Sequence, residues 1–123
     1  MIFVFGSNLA GRHNGGAARE AEEHFGAERG VGIGPTGRAY ALPTMDAEFK
    51  PLAKEEIQSH VDVFLEYARH CSHQEFFVTA IGCGIAGFTP EQIAPMFAGS
   101  PDNCTLHRRL VDALHAAEVG EVA

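Results

Sequence analysis

The sequence predicts a single α/β domain with a mainly parallel sheet and helices on both of its faces. Three observations lead there. Short runs of β-branched and aromatic residues alternate with amphipathic helical stretches, the order that builds parallel strands joined by crossover helices. The first of those runs, Ile2-Phe3-Val4-Phe5, is apolar at every position, as strands buried on both faces are. Two of the runs end directly in glycine-rich loops that open helices, where α/β sheets place their ligands. The chain has 123 residues, the size of one domain, and we treat 1–123 as one.

Residues 2–5, Ile2-Phe3-Val4-Phe5, form the first expected strand. Residues 6–16, rich in Gly, Asn and Ser, are expected to be a loop. Residues 17–25 read as a helix with Ala17, Ala21 and Phe25 inward, Arg19, Glu20, Glu22 and Glu23 outward, and Gly26 as its C-terminal cap. Residues 30–37 are glycine-dense, a loop with a short strand inside. Residues 39–42 read as a second strand, stopped by Pro43. In residues 52–70, Ile57, Val61, Phe64, Leu65 and Ala68 follow the helical stripe. Residues 75–81 read as a buried strand running into Gly82-Cys83-Gly84. Thr89-Pro90-Glu91-Gln92 has the form of a capping box with proline at the first helical position, starting a short helix through Phe97. Residues 103–106 fit a last strand. Residues 107–117 fit a final helix with Leu110, Leu114 and Ala117 inward, and the residues after it are expected to fray.

Composition narrows the function. Hydrophobic residues make up 46% of the chain, enough for a core without staples. The net charge of −7 excludes binding DNA or RNA through a broad basic face, because Lys and Arg neutralise phosphates in such binding. A single nucleotide is still admissible, since backbone amides bind phosphate unaided. Cys71, Cys83 and Cys104 are an odd set without paired spacing, which argues for a reducing compartment. The first residues carry neither a basic region nor a long apolar stretch, so neither a signal peptide nor a membrane anchor is expected. These readings together predict a cytosolic protein with no membrane partner.

The two glycine loops are Gly6-Ser7-Asn8-Leu9-Ala10-Gly11-Arg12-His13-Asn14-Gly15-Gly16 and Gly82-Cys83-Gly84-Ile85-Ala86-Gly87-Phe88. Glycine lets a ligand approach the main chain, and the helix that follows offers unpaired amides and a positive dipole end. A glycine-rich turn after a strand is, by itself, most often only a turn. Neither loop has the Gly-Lys-Ser/Thr ending or the G-x-G-x-x-G pattern of well-known phosphate binders. Two loops in equivalent positions carry more weight than either alone.

At this level the chain resembles the macrodomains. Phe5-Gly6-Ser7-Asn8-Leu9 followed by Gly15-Gly16-Ala17 resembles their first binding loop. Tyr40-Ala41-Leu42-Pro43-Thr44 resembles the strand that ends beside the ligand, and Ile81-Gly82-Cys83-Gly84-Ile85 the loop that wraps the diphosphate. The nearest branch is the compact one containing glycohydrolases that remove ADP-ribose from acidic side chains. The resemblance implies a three-layer α/β/α fold and a cleft for ADP-ribose, free or on a modified protein, with no cofactor. It implies that Asn8 meets the distal ribose and that Gly15, Gly16 and Ala17 donate to a phosphate. It further implies that Gly82, Cys83, Gly84, Ile85 and Ala86 line the diphosphate, with Phe88 against a ribose or adenine. Gly6, Ser7, Leu9, Thr44 and Gly87 belong to the same ligand-binding set.

The chain departs from that branch at its reactive positions. Where the branch has a lysine after the strand-end Thr and an aspartate in the second loop, this chain has Met45 and Ala86. A thioether and a methyl group form no imine and transfer no proton. Asp46 and His13 are the candidate catalytic groups that remain. Asp46 fits a turn equally well, and Arg12 and His13 fit a solvated loop tip as well as a clasp on a diphosphate. Cys83 reads as a small buried residue rather than a nucleophile, since no partner is identifiable. Arg38 fits the flank of a strand. His70, Cys71 and His73 sit where a helix end favours histidine and lack recurring ligand spacing, so no metal is expected. The favoured function is a module that binds ADP-ribose or an NAD-derived nucleotide. An ADP-ribosyl hydrolase and a protein-interaction domain with a vestigial cleft are the alternatives.

Overall fold

A computed structural model describes the backbone of residues 1–122 and the side-chain surroundings of residues 1–118. It contains β1 (Ile2–Asn8), α1 (Gly16–His24), β2 (Gly34–Thr36), β3 (Ala39–Met45), α2 (Lys54–His70), β4 (Phe76–Val78), α3 (Pro90–Ile93), β5 (Cys104–Leu106) and α4 (Arg108–Val122). A 3₁₀ turn, Ala94–Phe97, continues α3. The strands form one sheet in the order β2-β3-β1-β4-β5. All neighbours pair in parallel except β2 and β3, which are antiparallel. The expected α/β fold with a mainly parallel sheet is therefore present, in a form compatible with three layers.

Alternation along the central strands sends their side chains to two cores. Val4, Tyr40, Leu42, Phe76 and Val78 pack with Ile57, Val61, Phe64, Leu65 and Ala68 of α2, and with Ile93, Leu110 and Ala113 from α3 and α4. Phe3, Phe5, Ala39 and Ala41 pack with Ala18 and Ala21 of α1. Every residue of the stripe read from the sequence of α2 is buried. The Thr89–Gln92 capping box is complete in both directions, and Pro90 opens the helix as expected.

Several elements differ from expectation, the strands for reasons that lie in their neighbours. β1 runs on through Gly6, Ser7 and Asn8, because β3 supplies partners as far as Met45. Pro43 lies inside β3 instead of stopping it. β2 reaches only the part of β3 opposite Ala39–Ala41, so no ladder bond from β2 is required at Pro43. β4 ends at Val78. Thr79 then turns, with its amide and hydroxyl both donating to the Val4 carbonyl, and Ile81 donates back to Thr79. In α1, Ala21 is buried as expected and Ala18 is buried with it, whereas Ala17 and Phe25 are only half-buried. In α4, Ala113 is buried where Ala117 was expected, and Ala117 is exposed. The expected fraying falls on residues whose surroundings lie outside the described set. No described helix is long and apolar enough to cross a membrane.

Candidate functional site

The loops after four parallel strands meet in one cleft of about 600 Å³, a size typical of cofactor and nucleotide sites. It runs across the carboxyl ends of the strands. Thr44, Met45 and Phe49 lie at the β3 end, and His107 and Arg109 at the β5 end. Gly6, Asn8, Arg12, Gly15, Gly16 and Ala17 come from the β1–α1 connection. Thr79, Ala80, Gly82, Cys83, Gly84, Ile85 and Ala86 follow β4, and Phe3 and Phe77 line the sheet side. The two glycine loops read from the sequence thus converge. A β-carbon on Gly6 would stand 3.4 Å from the amide nitrogen of Gly82.

Two kinds of glycine bear on the cleft. A β-carbon on Gly11 would lie 2.3 Å from the carbonyl carbon of Gly30, and one on Gly32 would lie 2.2 Å from the Asn8 carbonyl oxygen. These glycines are required by the close approach of the 30–34 segment to the first loop. Gly15 and Gly84 are different. Neither has a positive φ, and an added β-carbon would meet nothing within 4 Å. Both line the cleft. Their lack of a side chain serves no contact inside the protein and leaves the main chain bare toward the cleft.

The first turn of α1 completes that bare wall. Its N-cap, Gly15, provides no side-chain hydrogen bond, and the turn holds no acidic residue. Its amides and the positive end of its dipole are therefore left for an anion. Arg12 and Arg109 add two positive charges to the lining, against one from Glu20. The cleft is locally basic on a protein of net charge −7.

Asn8 is buried beside the cleft, but its amide also ties the loop. Nδ2 donates to the Arg12 carbonyl at 2.8 Å, and Oδ1 accepts from the Arg12 amide at 3.1 Å. One Nδ2 proton remains beyond those bonds. Thr44 is buried, its hydroxyl 3.4 Å from the Ser7 carbonyl. Ser7, Leu9, Gly87 and Phe88 do not line the cleft. Ser7 is turned inward, donating to the Gly32 carbonyl, because the 30–34 segment packs against it. Leu9 points to solvent. Phe88 packs against the larger core beneath Gly82.

Both candidate catalytic groups lie outside the lining. His13 is buried under the first loop, edge-on to Phe5, with Nε2 3.3 Å from the Val31 carbonyl and Nδ1 3.7 Å from Glu22 Oε2. It is not the solvated loop tip that the sequence allowed. Asp46 organises a tight turn: its carboxylate accepts from the amides of Glu48 at 2.9 Å and Lys50 at 3.0 Å. The Cys83 thiol lies 3.4 Å from the Ile81 carbonyl, and burial pushes its pKa up, opposed by Arg109 and helped by Glu91. Such a thiol is a poor nucleophile at neutral pH. Arg38 reaches the His24 carbonyl and the Phe25 ring, away from the cleft. His70 faces Glu66 on its own helix.

Reading the sequence missed Phe49, Phe77, His107 and Arg109. The rule that ligands sit at the carboxyl ends of strands would have found His107 and Arg109, which follow β5 directly. Nothing local marks Phe49, because its place depends on how the turn closes. No family model matches this chain, nor does any curated protein or solved structure.

Proposed function

We propose that the cleft binds ADP-ribose or a closely related NAD-derived nucleotide, in the manner of the macrodomains that the loops resemble. The observation that carries this reading is the pair Gly15 and Gly84, bare toward the cleft without an internal need to be. Together with the uncapped first turn of α1 they make a main-chain cradle suited to a diphosphate. Arg12 and Arg109 supply charge, and Asn8, fixed by its bonds to Arg12, has a donor left for a ribose hydroxyl.

Binding without turnover is the form of this reading that the geometry favours. Asp46 is committed to its turn and His13 to packing beneath the loop. Met45 and Ala86 stand where the similar glycohydrolases have their reactive pair. Calorimetric titration with ADP-ribose, against AMP, ADP and NAD, tests the reading. The expected result is micromolar binding of ADP-ribose or NAD and much weaker binding of AMP. Absence of heat with all four would refute it.

A further inference from the structure

Phe49 is the only described residue other than glycine with a positive φ, at 63°. For a bulky side chain that conformation is a true outlier, and it persists only where surrounding structure enforces it. The enforcement is visible. The Asp46 carboxylate holds the amides of Glu48 and Lys50, the Phe49 amide donates to the Asp46 carbonyl at 3.2 Å, and Met45 bridges to Pro51 across the turn. The strain is not offset by core packing. Phe49 belongs to neither core cluster and remains 36% exposed. Its ring instead borders the β3 end of the cleft, with the Arg12 guanidinium 5.7 Å from its centroid.

The other end of the cleft has its own aromatic wall. Phe77 is half-buried, 6.5 Å from Phe3 and 6.4 Å from the His107 ring. The bare glycines lie on the loops between these two ends. We propose that each end receives a planar ring, Phe49 with Arg12 forming the wall for one of them, so that the preferred ligand is a dinucleotide with two bases joined by a diphosphate. A ligand ending in a bare ribose leaves the Phe49 wall empty. This inference rests on the reading that the glycine loops hold the diphosphate. Asp46 takes part as a positioning residue that holds the turn.

The test is calorimetric titration of NAD and of ADP-ribose into the wild-type protein and into Phe49→Ala and Phe49→Trp. NAD should bind the wild type about tenfold more tightly than ADP-ribose, the scale of one base–aromatic stacking contact. Phe49→Ala should abolish that preference, NAD affinity falling about tenfold more than ADP-ribose affinity, and Phe49→Trp should retain it. Circular dichroism of both variants establishes that they are folded. ADP-ribose binding as well as NAD, or an equal loss of both in Phe49→Ala, would overturn the ring site and leave the diphosphate cradle standing. Failure of the wild type to bind either would overturn both.

Discussion

A β-carbon built on Gly32 would press on the Asn8 carbonyl oxygen, at 2.2 Å, whereas one on Gly84 would enter open space. The same substitution should therefore act on different quantities at the two positions. Gly32→Ala forces backbone against backbone, with Gly11 N also only 3.2 Å away, and should cost about 3 kcal/mol, the upper end for overpacking. Thermal denaturation should show this as a fall on the order of 10 °C. Gly84→Ala should leave the melting temperature within about 2 °C of the wild type, since nothing inside is displaced. It should instead weaken ADP-ribose or NAD binding about tenfold, or about 1.4 kcal/mol, because the methyl group occupies the space of the approaching phosphate. Unchanged affinity in a folded Gly84→Ala would remove the second loop from the site. The sequence revealed that glycines cluster in both loops. It did not separate those that the 30–34 segment demands from those that face the cleft, because that distinction lies in contacts some 20 residues apart, such as Gly11 with Gly30 and Asn8 with Gly32.

What was legible in an element depended on where its determinants lie. The stripe of α2 and the Thr89–Gln92 cap are local patterns, and both were readable from the sequence. The extension of β1, the tolerance of Pro43 and the early end of β4 are set by partner strands, and none was. Asn103 is the clearest such long-range device. Its Nδ2 lies 2.9 Å from the Ala68 carbonyl, 3.1 Å from that of Gln74 and 3.2 Å from that of Cys71, and its own carbonyl accepts from the Phe76 amide. One residue thus caps the end of α2 through its side chain and joins β4 through its main-chain carbonyl, immediately ahead of β5. Two amide protons are shared among three carbonyls. Asn103→Ala removes both donors and should destabilise the fold by about 2 kcal/mol, the scale of leaving part-buried acceptors unpaired. Asn103→Asp, nearly identical in shape, should do at least as much harm at pH 7, since it sets a carboxylate against three carbonyls. Chemical denaturation decides this: wild-type stability in Asn103→Asp would mean that shape, and not hydrogen bonding, holds the junction.

Across the whole molecule the two sides of the sheet are unequal, and that inequality places both the cleft and the sensitivity to alkali. α1 packs over Phe3, Phe5, Ala39 and Ala41 on one side, while Phe77 on β4 stays half-buried and lines the cleft. The other side carries α2, α3 and α4 on the larger core, and Tyr40, Cys83 and Cys104 all pack there. Burial raises the pKa of each. Tyr40 is pushed further by Tyr67. Cys104 reaches about 11 from an ordinary 9.0, with Arg69 opposing and Glu75 adding to the rise. In the unfolded chain these groups ionise at their ordinary values, so between pH 9 and about 11 the unfolded state loses protons that the folded state keeps. Raised pKa values of this kind contribute stability that is intact below the unfolded value and is lost as pH climbs through the folded one. The melting temperature should therefore hold between neutral pH and about 9, then fall steadily toward 11. Cys104→Ala should flatten part of that fall without changing its onset, because Tyr40 and Cys83 remain. A variant whose melting temperature tracks the wild type at every alkaline pH would show that the Cys104 thiol ionises as freely in the fold as outside it.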